Sequence, residues 1–255
     1  MVPILRYSGR RSVCVRRAAA GAAGGFTLVE LVTIVAIVLL LAGILAPSLT
    51  CAYRLALRAK CSTNMNQWYT ALCGYAGSND MYFPENTAAP ARHISWCGHT
   101  VGQFWKDYLL EWDKQHIQEA RYDVLYCPTQ QWHRHEGALR DLFGLCGYFY
   151  MPHRDNAPWN SMDYTPAGED WVTKKRFGEN PETPIMADMK QYAGWIPDWY
   201  LTDGTPISSH RQANGEPYGG NYLFEDGRIV WYDTSEIALG ATVGGWRCYY
   251  NIPLP

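Results

Sequence analysis

Gly25-Phe26-Thr27-Leu28-Val29-Glu30 opens an apolar run that continues to Ala46 and stops at Pro47. From Phe26 to Ala46 the run holds 21 residues, and Glu30 is its only ionisable side chain. At about 1.5 Å of rise per residue such a helix reaches about 31 Å, close to the hydrocarbon thickness of a bilayer. Five arginines (Arg6, Arg10, Arg11, Arg16 and Arg17) precede it, and no acidic residue comes before Glu30. A secretory signal peptide also joins a basic leader to an apolar stretch, but it is cut after the stretch, at small residues. Here that cut would fall beside Pro47, with Ile44 where a small side chain is needed. Ser48-Leu49-Thr50-Cys51 makes a poor lipoprotein site, because Thr50 stands where Gly or Ala belongs. The sequence therefore reads as an apolar helix that stays with the chain. Its leader faces the cytoplasm, since five arginines outweigh Arg54, Arg58 and Lys60 on the far side.

Gly25-Phe26-Thr27-Leu28-Val29-Glu30 resembles the prepilin cleavage and methylation motif of type IV pilins and type II secretion pseudopilins. The resemblance implies that a prepilin peptidase cuts between Gly25 and Phe26 and methylates the new amine. Glu30 then becomes the fifth residue of the mature chain. Pro47 matches the helix-kinking proline that many members carry. The physical chemistry of Glu30 agrees. A carboxylate within a bilayer costs several kcal/mol unless it is paired or sits near the interface. In the first turn of a helix the macrodipole favours its negative charge. A free Phe26 amine, its own or a neighbour's, supplies a cation. The expectation is that Glu30 pairs with the Phe26 amine of an adjacent subunit and sets the axial register of a filament. The plainer alternative is a carboxylate that snorkels to the interface.

Charge narrows the partners. The chain has 22 Lys and Arg against 24 Asp and Glu; without the five leader arginines 17 remain, so the mature chain sits near −7. That balance argues against nucleic acid. Beyond Pro47, Leu49, Ala52, Tyr53, Ala56, Ala59, Met65, Trp68, Leu72 and Tyr75 recur at spacings of three and four, predicting that the helix continues with one apolar face. Gly74 and Gly77, followed by Ser78-Asn79-Asp80, predict its end. Asn221-Tyr222-Leu223-Phe224 and Arg228-Ile229-Val230-Trp231-Tyr232 flank Glu225-Asp226-Gly227, a hairpin turn signal in which Gly227 supplies a positive φ and Asp226 caps the turn.

A second resemblance covers Cys61-Ser62-Thr63-Asn64-Met65-Asn66-Gln67, Tyr75-Ala76, Asn79 to Pro84, Tyr126-Cys127-Pro128, Pro184 to Asp188, His210 and Gly219 to Gly227. These pieces resemble the large processing-associated pseudopilin-like proteins named for a late histidine and an Asp-Gly pair. Fifteen residues separate His210 from Asp226, more than that group's usual interval, which weakens any role carried over to His210. His210 and Asp226 are the ligand candidates the resemblance offers. Major pseudopilins hold calcium in a C-terminal loop, and Asp188, Asp198, Asp203 and Asp226 offer oxygens here. Their spacing matches no compact calcium loop, so no metal and no cofactor is expected.

Seven cysteines lie beyond the leader, and an exported head would pair several of them. Cys51, Cys61 and Cys73 share one helix at separations too long to bridge, since ten residues span about 15 Å. The pairing favoured is Cys61 with Cys127, with further bridges among Cys73, Cys97, Cys146 and Cys248 and with Cys51 left free. Cys97-Gly98-His99 and Cys127 with His133-Arg134-His135 lack the repeated spacing that marks zinc sites. No hydrolase, metalloprotease, phosphate-loop or dinucleotide fingerprint is present, so no enzyme is expected.

The expected architecture is α+β and pilin-like: a cleaved leader over 1–25, a transmembrane and assembly helix over 26–47 kinked at Pro47, its outer amphipathic half over 48–78, and an exported, loop-rich head over 79–255 with a C-terminal hairpin. Strands are expected near 122–127, 184–188, 221–225 and 228–233. The expected function is that of a structural subunit of a type II secretion pseudopilus or type IV pilus-like filament. Its partners are prepilin peptidase, other pilin or pseudopilin subunits and the inner membrane, which it crosses once, with its head in the periplasm or on a surface filament. The alternative is a membrane-anchored binding protein that does not polymerise, whose Trp- and Tyr-rich head recognises a carbohydrate or other surface ligand.

Overall fold

The computed structural model of the chain describes residues 25–85, 104–109, 124–129, 146–153, 165–166, 174–193, 208–212, 214–243 and 246–254. The chain divides into two compact units at the Leu49–Thr50 boundary. One helix, α1 (Leu28–Ser78), carries Pro47 inside it. Thr27 caps its start: Glu30 N donates to Thr27 Oγ1 (3.2 Å), while Glu30 Oε2 accepts from Thr27 N (2.9 Å) and Thr27 Oγ1 (2.8 Å). This reciprocal Thr-x-x-Glu box satisfies donors that would otherwise lack partners at a helix start.

In the first unit every described side chain is exposed. Among the described residues, α1 is the one helix long and apolar enough to cross a membrane.

In the second unit the helix changes character. The expected apolar face at Leu49, Ala52, Tyr53, Ala56 and Ala59 is exposed. The buried positions begin just beyond Ala59, at Cys61, Asn64, Met65, Trp68, Ala71, Leu72 and Ala76. The helix runs through Gly74 and Gly77 and ends at Ser78. The left-handed residues beyond it are Asp80 (φ 50°) and Met81 (φ 63°), and Met81 N closes back on Ala76 O (2.9 Å).

Among the described residues, eight strands form two antiparallel sheets. In the first, β1 (Tyr148–Tyr150), β3 (Pro184–Asp188), β5 (Gly219–Phe224) and β6 (Ile229–Asp233) lie in that order; in the second the order is β2 (Thr165–Pro166), β7 (Ala238–Val243), β8 (Trp246–Asn251), β4 (Gln191–Ala193). Three strands of the first sheet, β1, β3 and β5, are buried on both faces while the edge strand β6 is half-buried, and the strand period of two sorts the side chains. Tyr148, Tyr150, Met186 and Leu223 join Met65, Trp68 and Leu72 of the helix in one core. Phe149, Ala187, Tyr222 and Phe224 join Ala241, Cys248 and Tyr250 of the second sheet in another. The second unit is therefore layered as helix, sheet and sheet, an α+β arrangement.

Three expected strands, near 184–188, 221–225 and 228–233, and the hairpin between the last two are present. Phe224 N donates to Arg228 O (2.9 Å), Arg228 N to Asp226 Oδ1 (3.0 Å), and Gly227 has φ 86°. Among the described residues 124–127 of the strand expected near 122–127 there is no strand: Val124 and Leu125 form a 3₁₀ turn. The reason lies in who takes their carbonyls. Trp68 Nε1 donates to Val124 O (2.9 Å), Gly147 N to Leu125 O (2.8 Å) and Asn64 Nδ2 to Tyr126 O (3.0 Å). Helix side chains satisfy groups that a sheet neighbour would otherwise have paired.

Candidate functional site

Four side chains from four separate segments converge between the helix and the first sheet. Cys61 comes from α1, Cys127 follows the 3₁₀ turn, Asp188 ends β3, and His210 lies in the loop before β5. Their Sγ, carboxylate and imidazole atoms all lie within 4.8 Å of one another, and all four residues are buried. Asp188 shares the helix-facing side of β3 with Met186, two residues before it, as the strand period requires. Cys61 lies one helical turn before Met65 on the packed face, and Trp68 follows on the same face.

The contacts are specific. Cys61 Sγ donates to Asp188 Oδ1 (2.8 Å), and Tyr148 Oη lies 3.7 Å from the same sulfur. His210 Nε2 lies 3.0 Å from Asp188 Oδ2 and 3.3 Å from Cys127 Sγ. Asp188 Oδ2 also accepts from Asn221 N (2.8 Å) and Asn221 Nδ2 (2.9 Å). Thr129 Oγ1 sits 3.1 Å from Cys127 Sγ and accepts from His210 N (2.8 Å), so one hydroxyl links two of the four segments. His210 has φ 46°, a left-handed conformation uncommon for a residue with a Cβ. Its ring stands edge-on to Tyr218 and Trp231, with centroids 5.9 and 5.2 Å away, and its Nδ1 has no hydrogen-bond partner among the described residues.

Electrostatics divide the four groups into charged and neutral members. Burial pushes the Cys61 thiol well up, and hydrogen bonding to Cys127 and the nearby Asp188 charge push it further. Burial also opposes a Cys127 thiolate, but the hydrogen bond from Cys61 and the His210 charge outweigh it and bring Cys127 to about 6. His210 is raised well above its ordinary value against the cost of burial, because Cys127 and Asp188 both favour the imidazolium. Asp188 is lowered despite burial, chiefly by His210. Two thiols, an imidazole and a carboxylate so arranged can take a soft divalent cation, join their sulfurs, or hold a thiolate–imidazolium pair.

No family model, curated protein or solved structure matches the chain.

Of the residues singled out from sequence, Cys61, Cys127 and His210 are brought together here, with the two sulfurs adjacent and unjoined. Asp226 stands apart at the exposed hairpin tip, held by Arg228 Nε at 3.2 Å. Cys51 and Cys73 are exposed free thiols, and Cys146 and Cys248 lie in different core clusters. Cys97, the histidines at 99, 133 and 135, Asp198 and Asp203 fall outside the described residues. Gly25, Phe26, Thr27, Leu28, Val29, Glu30 and Pro47 lie at the start of the chain's described part or along α1. Asp188, which the sequence offered only as one of four calcium oxygens, is the fourth member of the group, and sequence reasoning placed neither it nor Asn221 and Thr129 beside the cysteines. Its only sequence signal is a carboxylate ending an otherwise apolar strand, Pro184-Ile185-Met186-Ala187-Asp188, two positions from a core methionine. A pocket of about 230 Å³, lined by Tyr53, Leu57, Pro128, Thr129, Arg211 and Gln212, opens beside the cluster, formed by neighbours of Cys127 and His210.

Proposed function

We propose that this chain is a membrane-anchored, pilin-like structural subunit: prepilin peptidase trims it after Gly25, and its apolar helix packs into a secretion pseudopilus or pilus-like filament. The observation that carries the proposal is the start of α1, where Gly25-Phe26 precedes a helix whose Thr27 and Glu30 cap its first turn and whose apolar side chains are all exposed through Leu49. Exposed apolar surface on this scale needs lipid or neighbouring helices to cover it. Cleavage at Gly25 would free a cationic amine within a turn of Glu30. The prepilin is first held in the inner membrane, and assembly exchanges lipid for the helices of other subunits. The head then has a structural role and no chemistry of its own to perform. The membrane-anchored, non-polymerising binding protein remains the rival, with its aromatic-rich head as the recognition surface.

Glu30→Gln separates capping from charge. A glutamine at the third helical position still completes the Thr-x-x-Glu/Gln box, so the helix start is kept while the anion is lost. In cells that make the filament, sheared fractions should contain the processed wild-type chain and lack the Glu30→Gln chain, which stays in the membrane. Equal recovery of both in sheared fibres contradicts the assembly role of the charge. Absence of the wild-type chain from every sheared fraction favours the anchored binding protein.

A further inference from the structure

We infer that Cys61, Cys127, Asp188 and His210 form a closed, four-coordinate zinc site that fastens the outer half of α1 to the head. The inference is independent of the filament reading, since it concerns the second unit alone.

The donor set selects the ion. Two thiolates, one imidazole and one carboxylate suit Zn²⁺, whereas calcium needs six to eight oxygens and only one carboxylate is present. Zn–S bonds of about 2.3 Å and Zn–N and Zn–O bonds of about 2.0–2.2 Å set donor–donor edges near 3.3–3.8 Å in a tetrahedron. Two of the edges this donor set would have, Cys61 Sγ–Asp188 Oδ1 at 2.8 Å and His210 Nε2–Cys127 Sγ at 3.3 Å, lie at or inside those values, and all four donors lie within 4.8 Å of one another. A central ion therefore needs donor shifts on the order of 1 Å.

The surroundings are built in the same sense. Asn221 holds Asp188 Oδ2 through both its backbone and side-chain nitrogens, which leaves Oδ1 to face Cys61 and the centre. A hydrogen-bonded carboxylate is a usual outer support of a metal site, and Asp188 has it, whereas His210 is held by its ring neighbours and not through Nδ1. Thr129 bridges the Cys127 and His210 segments, and Tyr218 and Trp231 fix the plane of the imidazole. A disulfide would use only the two sulfurs and would leave Asp188 and His210 as a buried pair with no part in the link. On binding, Zn²⁺ takes Cys61 Sγ and Cys127 Sγ as thiolates, His210 Nε2 as a neutral imidazole and Asp188 Oδ1. The protons those donors carried pass to solvent, and no electron is transferred. With four protein donors no position stays open for substrate, so the site is structural.

The test uses the full-length chain in detergent, kept reduced, dialysed against Zn²⁺ and freed of excess ion. Metal analysis should find about one zinc per chain, and chelation should lower the unfolding temperature. Replacing zinc with Co²⁺ should give the visible absorption of a tetrahedral cobalt thiolate, a signature that needs no variant. Cys127→Ser should bind at least about tenfold less metal, and Asn221→Ala should weaken affinity roughly 10–100-fold while keeping all four ligands. Less than about a tenth of a zinc per reduced chain, or cobalt bound without thiolate absorption, would overturn the inference. So would a metal-free chain whose mass reports a Cys61–Cys127 disulfide that re-forms in the presence of zinc.

Discussion

Trp68 is the side chain through which the outer part of α1 and the head share a core. It is fully buried, its ring lies 6.1–6.5 Å from those of Phe104, Tyr148 and Tyr150, and its Nε1 donates to Val124 O at 2.9 Å. Trp68→Ala removes the largest of these buried contacts and leaves a cavity, a loss of about 3–5 kcal/mol. Trp68→Phe keeps an aromatic ring but strips the donor from a buried carbonyl, at about 1–3 kcal/mol. For a domain of this size each kcal/mol moves the midpoint by about 2–4 °C, so Trp68→Ala should lower Tm by roughly 6–20 °C and Trp68→Phe by roughly 2–12 °C. Thermal unfolding of the detergent-solubilised full chain, followed by near-ultraviolet circular dichroism at fixed metal content, reads both. If Trp68→Ala shifts Tm by less than about 3 °C, the helix does not contribute to the head's core and the packing described above is wrong.

Gly227 combines φ 86° with a neighbour in the way, since an added Cβ would lie 2.6 Å from the Tyr69 ring. Gly227→Ala should therefore cost about 1–3 kcal/mol in denaturant unfolding. Pairing it with Tyr69→Ala should recover the steric part only, and full recovery would deny the backbone strain. Burial lowers the Lys190 ammonium to about 8 from its ordinary 10.5. Below pH 8 both folded and unfolded chains hold that proton, and between about 8 and 10.5 the unfolded chain holds more, so stability gains with pH there. The stability of wild type relative to Lys190→Met should climb across that window, and a flat difference would contradict the depressed ammonium.

Local signals that repeat along one element were readable. The helix from 28 to 78, the strand at 184–188 and the Asp226-Gly227 turn each carry their own period or turn residues. The apolar positions Leu49, Ala52, Tyr53, Ala56 and Ala59 misled because their period is that of a packed face, although each of them is exposed. The 122–127 segment misled for the opposite reason. Its described residues, Val124 to Cys127, are buried, but Trp68 and Asn64 take carbonyls a strand would use. The second sheet, with its irregular register between β7 and β8, has no comparably regular pattern to betray it. The cysteine and histidine candidates were visible singly, yet Asp188 joins them only because β3 sits beside β5, where Asn221 can grip its carboxylate. A relation set by sheet order leaves no trace in the spacing of residues 61, 127, 188 and 210.

The central claim is that the chain matures by losing its basic leader and keeping its apolar helix. Intact-mass and N-terminal peptide analysis of the protein purified from membranes of its own cells measures this directly. The account predicts a chain that begins at N-methylated Phe26, with no peptide from residues 1–25. A chain that retains those residues, or one that begins beyond Ala46, would contradict it.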